Sequence, residues 1–211
     1  MGLSFAKSAL PATTRNIVLV PAAWSGSGFC TDSSIDGHWN SSETGNPLLG
    51  NTLLFDRALV RVNATLEQTG GILRGIIWHQ GEADSNASCA PFYQQNLISM
   101  VEAFRSRINQ DVRGSDARGL QANIPFILGT RSRGSDERGD FSSLDDAKTI
   151  VDNVHRNIPT LVPFSGVIDS DDLIPANGFR CGEGSCIHYG AGSLREMGVR
   201  AYEALVRAAR N

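Results

Sequence analysis

Short apolar runs alternating with stretches of helical period constrain this 211-residue chain more than any other feature. Residues 16–22, 72–78, 124–129 and 166–169 read as strands, the first of them as a continuous apolar run buried on both faces. Between them lie amphipathic stretches. Phe55, Leu59, Val62 and Leu66 fall on one helical stripe over 53–66, and Leu97, Val101, Phe104 and Ile108 on another over 93–108. A third helix is expected over 145–157 and a fourth over 193–207, with Leu194, Met197, Ala201 and Leu205 inward. Strand and helix in strict alternation imply an α/β fold, a parallel sheet covered on both faces. A mass of 22.7 kDa with no interdomain linker implies a single domain with a sizeable core.

Several function classes fall away on composition. The net charge is -3, and the 19 basic residues form no stripe that would mark a nucleic-acid partner. Arg131, Arg133 and Arg138 come closest, but Asp136, Glu137 and Asp140 interleave with them, so this stretch reads as a solvated loop. No apolar run approaches the ~20 residues of a membrane span, so no membrane partner is expected. Residues 1–12 carry one lysine and no long apolar core, unlike a signal peptide. Cys30, Cys89, Cys181 and Cys186 lack zinc-ligand spacing. They allow two disulfides, most simply Cys30–Cys89 and Cys181–Cys186, or four free thiols; both readings stand.

In a parallel sheet of this kind, function resides in the loops beyond the carboxyl ends of the strands. Three loops fit that position: residues 24–29, residues 79–84 and the segment around His188. His79-Gln80-Gly81-Glu82-Ala83-Asp84 follows a buried strand and suits a site better than a core. The Gln80 amide is a donor of the type that stabilises an oxyanion, and Glu82 is able to orient a histidine. The plain alternative is a hydrogen-bonded turn capping the next helix. His188 precedes the last helix, where the helix N-terminus disfavours imidazolium and suits a general base; a simple capping role is the alternative. Trp24-Ser25-Gly26-Ser27-Gly28 frees backbone N–H groups toward an anion, or is merely a flexible turn. His38 and His155 read as ordinary structural histidines. Trp24, Trp39 and Trp78 offer a sugar-stacking surface, although Trp78 reads first as core. No Gly-x-Ser-x-Gly elbow occurs.

The motifs, taken in order, resemble the sialate O-acetylesterase-like (SASA) domain of the SGNH hydrolase superfamily, which includes acetylxylan and other carbohydrate acetylesterases. Trp78-His79-Gln80-Gly81-Glu82-Ala83-Asp84 is the most specific of them. Supporting it are Gly2-Leu3-Ser4-Phe5-Ala6-Lys7, Val20-Pro21-Ala22-Ala23 with Ser25-Gly26-Ser27-Gly28, Leu54-Phe55-Asp56-Arg57-Ala58, Pro125-Phe126-Ile127-Leu128-Gly129, and Ile187-His188-Tyr189-Gly190-Ala191 with Arg195-Glu196-Met197-Gly198. The resemblance implies a flavodoxin-like three-layer α/β/α sandwich. It implies His188 as catalytic base, Gln80 and Gly26 (with Ser25 beside it) as oxyanion donors, and Glu82 as support for the histidine. The substrate would be an acetylated carbohydrate, with no metal or organic cofactor.

The chain departs from the family pattern twice. Ser185 stands where an aspartate usually precedes the histidine, leaving Glu82 and then Glu183 as candidate acids. The Gly-Gln-Ser-Asn segment that carries the nucleophile after a first, central strand has no counterpart, and Ser4 belongs to a downstream helix motif. The expectation is therefore an amino-terminally incomplete domain over 1–211. Its function is that of a carbohydrate O-acetylesterase or, alternatively, of an inactive glycan-binding or structural remnant.

Overall fold

The computed structural model describes residues 1–30, 37–42, 53–108, 123–133, 141–173 and 187–210. Helix α1 (Gly2–Ala9) ends in a 3₁₀ turn (Leu10–Ala12). After it come α2 (Leu54–Thr69), β1 (Ile76–Trp78), α3 (Ala90–Arg107), β2 (Phe126–Gly129), α4 (Asp146–Leu161), β3 (Ser165–Ile168) and α5 (Ala191–Ala208). The three strands lie in the order β1-β2-β3 and all pairs are parallel, with Ile77 opposite Ile127 and Ile127 opposite Gly166.

Alternation along β2 divides the interior into two layers. Phe126 and Leu128 point into a core shared with Phe55 and Val62 of α2, Tyr93, Leu97 and Val101 of α3, and Val151 and Ile158 of α4. Ile127 points the other way, onto Ala201 and Ala204 of α5 and Phe5 of α1. The result is an α/β/α sandwich, as expected. At the opposite end of the sheet from the strand carboxyl termini, the buried Arg105 guanidinium donates to the carbonyls of Ile124, Pro163 and Phe164 and so ties β2 to β3.

Local signals explain the helix ends. Asp145 accepts from the Lys148 N–H as N-cap of α4. Gly70 closes α2 in the left-handed conformation, φ 61°. α4 runs to Leu161, past the expected end at 157, because Pro159 stands in its last turn rather than its middle. Leu194 departs from the expected inward stripe of α5 and is 39% exposed. The stripe drifts over one turn so that Met197, Ala201 and Ala204 face the sheet instead.

The larger correction concerns residues 16–22. No strand pairs with them among the described residues, and Val18 and Leu19 are 56% and 42% exposed. A strand buried on both faces needs ladder partners for its backbone, and here the nearest fixed bond is from Arg61 Nη1 to the Pro21 carbonyl (2.8 Å). Among the described residues β1 pairs on one side only, to β2. No helix among the described residues is long and apolar enough to cross a membrane.

Helix α1 is held by an unusually close approach to α5. A Cβ on Gly198 would press on the Met1 carbonyl and lie 2.7 Å from Ser4 Cβ and 2.8 Å from the Phe5 nitrogen. Two of those three atoms are backbone and cannot rotate away. Ser4 therefore serves as a small packing residue in this crossing. We predict that Gly198→Leu forces α1 away from α5 and lowers stability by about 3 kcal/mol, read as a shift in the urea midpoint; an unchanged midpoint would show that α1 adds nothing to the fold.

Candidate active site

The carboxyl ends of β1, β2 and β3 open onto one cluster of polar side chains. Its centre is Asp84, 1% exposed. The carboxylate accepts from the Phe29 N–H (3.0 and 2.9 Å to its two oxygens), from the Cys30 N–H (3.1 Å) and from Gln80 Nε2 (2.7 Å). Burial pushes the Asp84 carboxyl above its ordinary value, and the hydrogen bonds from Phe29, Cys30 and Gln80 oppose that shift. The segment supplying the two backbone donors is fixed by a Cys30–Cys89 disulfide, Cα–Cα 5.9 Å. That pairing selects the disulfide reading for these two cysteines. Cys181, Cys186, Glu183 and Ser185 lie outside the described residues.

Gln80 is thereby oriented. Its second N–H goes to the Ser27 carbonyl at 3.2 Å, so the amide is stretched between Asp84 and the 24–28 loop. Ser27 is buried, and its hydroxyl donates to the Trp24 carbonyl (2.8 Å) and accepts from Trp39 Nε1 (2.8 Å). Gly26 takes φ 67°, a conformation that suits glycine, and its N–H and that of Ser25 make no hydrogen bond among the described residues. The structure thus brings Gln80 and the Ser25-Gly26 loop together.

Gly81 is required by both conformation and space. It takes φ 155°, and a Cβ there would lie 2.7 Å from His155 Cε1 and 3.1 Å from Val151 Cγ1. α4 therefore presses directly on the turn. Tyr93 holds the same turn from α3, donating to the Gln80 carbonyl (3.1 Å) and meeting His155 Nε2 at 2.9 Å.

Glu82 faces Arg131 rather than a histidine. Nη1 of Arg131 donates to both carboxylate oxygens at 2.9 and 3.0 Å and lies 3.2 Å from His79 Nδ1, while Nη2 donates to the Gly129 carbonyl. Arg131 is completely buried, and 28% of the Glu82 side chain remains exposed. The expected solvated loop at Arg131 is thus overturned. Arg131 turns in to Glu82, and Arg133 reaches Asp152 at 2.5 Å; Asp136, Glu137, Arg138 and Asp140 lie outside the described residues. Sequence reasoning missed Asp84 and Arg131 as supporting groups. For Arg131 the available signal was its position directly after a buried strand.

His188 is exposed and makes no hydrogen bond or ion pair to Glu82 among the described residues. Its neighbour Tyr189 anchors it to this end of the sheet. The Tyr189 hydroxyl bonds to Ser170 Oγ after β3 (2.6 Å) and to the Thr130 carbonyl after β2 (3.3 Å), and its ring meets His79 edge-on at 5.5 Å. His38 and His155 are buried, as structural histidines should be. Of the three tryptophans, Trp39 and Trp78 are buried and Trp24 is 43% exposed.

An α/β/α sandwich with its polar cluster beyond the strand carboxyl ends is the architecture expected of an SGNH-type fold. The crystal structure of NanS shares it, with a TM-score of 0.67 over 99% of this chain and 70% of the NanS chain, at 18% identity. The model for the carbohydrate esterase, sialic acid-specific acetylesterase (SASA) family matches residues 1–207, and the chain belongs to that family. Among curated proteins nothing matches.

Two histidines in the cluster carry a pH signature. Burial, then the Arg131 guanidinium, holds His79 well below its ordinary value, against a backbone hydrogen bond at Thr130. Burial, then Arg131, His79 and Arg156, does the same to His155. Both rings stay neutral in the fold, whereas the unfolded chain protonates them near pH ~6.5. Stability is therefore full above that pH and falls below it, by about 1.4 kcal/mol per pH unit for each ring. His155→Gln, which keeps a hydrogen-bonding group beside Tyr93, should reduce the slope of unfolding free energy between about pH 6 and 5 by about 1.4 kcal/mol per pH unit. An unchanged slope would mean that His155 titrates normally in the folded state.

Proposed function

We propose that this protein is a carbohydrate O-acetylesterase that removes acetyl groups from sugars or polysaccharides, of the acetylxylan or sialate type. The observation that carries this reading is the Gln80 amide, held by the buried Asp84 and directed at the Ser25-Gly26 loop. In this reading a serine hydroxyl attacks the acetyl carbonyl, and His188 takes its proton. The carbonyl oxygen, now negative, is held by the Gln80 side chain and the Gly26 N–H, with Ser25 beside it. Collapse releases the sugar hydroxyl, protonated by His188. Water, deprotonated by the same histidine, then attacks the acyl-serine and frees acetate. No step calls for a metal or an organic cofactor.

Glu82 is the proposed support for His188. A carboxylate has about four acceptor sites, so the two bonds from Arg131 leave room for a donor on its exposed side. Glu82→Gln should lower the turnover of an active form far more than Glu183→Gln; equal, small effects in steady-state kinetics would remove Glu82 from this role.

The serine is proposed to arrive on a further strand carrying Gly-Gln-Ser-Asn. Two observations support that arrangement: among the described residues β1 is paired on one side only, and the apolar side chains of Val18 and Leu19 lie exposed. Ser4 is packed against α5 and Ser27 is buried with its hydroxyl engaged, so neither suits the role. Serine loss in a serine hydrolase costs about a millionfold in turnover, so the 211 residues alone should release no p-nitrophenol from p-nitrophenyl acetate. Adding the strand with its serine should establish activity that His188→Ala abolishes. Hydrolysis by the 211-residue chain itself, lost in His188→Ala, would place the nucleophile inside it. An extended chain that binds acetylated sugar without hydrolysing it would favour a glycan-binding remnant.

A further inference from the structure

We infer that the indole of Trp24 is the platform on which the pyranose ring of the substrate stacks. The inference rests on the carbohydrate-esterase reading and assigns a residue that the acetyl chemistry does not use. Trp24 differs from the other two tryptophans in being in contact with solvent: it is 43% exposed, against 5% for Trp39 and 7% for Trp78. A large aromatic ring left in water is informative where neighbouring groups hold it still.

Trp24 is held from three directions. The Arg57 guanidinium of α2 lies 4.8 Å from the ring centroid, backing the indole with a cation. On the amino side of the ring, Arg61 of the same helix grips the Pro21 carbonyl at 2.8 Å. On the carboxyl side, the Trp24 carbonyl accepts from Ser27 Oγ, and the Ser27 carbonyl accepts from Gln80 Nε2 at 3.2 Å. The exposed ring is thus the fixed shoulder of the loop that presents Ser25 and Gly26. A sugar has one face of C–H groups and a rim of hydroxyls. Such a ligand covers a flat aromatic surface and leaves its rim to polar neighbours, which are what the 24–28 loop and Gln80 provide.

Trp24 also gives the experiment its own reporter. The chain has three tryptophans, and with two of them buried, emission that acrylamide quenches comes from Trp24. The 211-residue protein is titrated with acetylated xylo-oligosaccharide and, separately, with O-acetylated N-acetylneuraminic acid. At least one should shield Trp24 from acrylamide. By calorimetry Trp24→Ala should weaken that binding about tenfold, while Trp24→Phe retains most of it and shows that the loop is intact. A sugar that binds with the same affinity to Trp24→Ala and leaves the quenching unchanged would overturn the assignment of Trp24 and leave the esterase reading standing. Failure of both sugars to bind the unaltered protein would overturn the two together.

Discussion

A buried carboxylate is the constraint on which this end of the molecule depends. Asp84 is enclosed with no ion-pair partner among the described residues, and a charge so placed is stable only when its lone pairs are filled. Two fillers come from a distant part of the chain, the backbone N–H groups of Phe29 and Cys30, and the third is the amide of Gln80, in the same loop as Asp84. Phe29 and Cys30 lie more than fifty residues before Asp84 in sequence. Meeting the need of one carboxylate thus brings the 24–30 loop to the loop after β1. The Cys30–Cys89 disulfide closes the same connection covalently, five residues beyond Asp84. Phe29 completes it in the core, stacking on Trp78 at 5.9 Å and meeting Tyr93 edge-on at 5.5 Å.

Arg131 does for β2 what Asp84 does for the 24–30 loop. A guanidinium with no access to water must use its donors inside the protein, and it gives them to Glu82, to the Gly129 carbonyl and to His79. After burial, which acts most strongly, its positive field further lowers the titration of His79 and His155, since a second cation beside it is disfavoured. Among the described residues Glu82 offsets that charge directly, and 28% of its side chain remains exposed.

The layered fold was legible because it rests on local periodicity. The stripes of α2, α3 and α5, and the buried runs that became β1, β2 and β3, are written in single segments of sequence. Residues 16–22 were read as a strand on the same grounds, but pairing is not local. An apolar run becomes a strand only beside a partner edge. Likewise Gln80 could be singled out by residue type, whereas the solvated reading of Arg131 failed because burial of a charge depends on what tertiary contact supplies. Leu194 shows the same limit on a smaller scale, since a helical stripe defines a face but not how far a neighbour covers it. The three tryptophans are alike in sequence, and only packing separates the two that build the core from the one that meets solvent.

The same hydrogen bonds that hold Gln80 also limit it. Both of its N–H groups are engaged, at 2.7 Å to a carboxylate and at 3.2 Å to a carbonyl. A charged acceptor makes the stronger bond, so the bond to Ser27 is the one an oxyanion would displace. Displacement would release the Ser27 carbonyl, and with it one tie on the loop that carries Trp24, Ser25 and Gly26. Anchoring of the sugar and formation of the oxyanion would then act on a single loop: Arg57 behind Trp24 and the bond from Ser27 Oγ to the Trp24 carbonyl would keep it in place while Gln80 turns to the substrate. In the proposed mechanism Gln80 would thus begin in a bond to that loop and exchange it for the oxyanion, with Asp84 as the pivot that keeps the amide aimed.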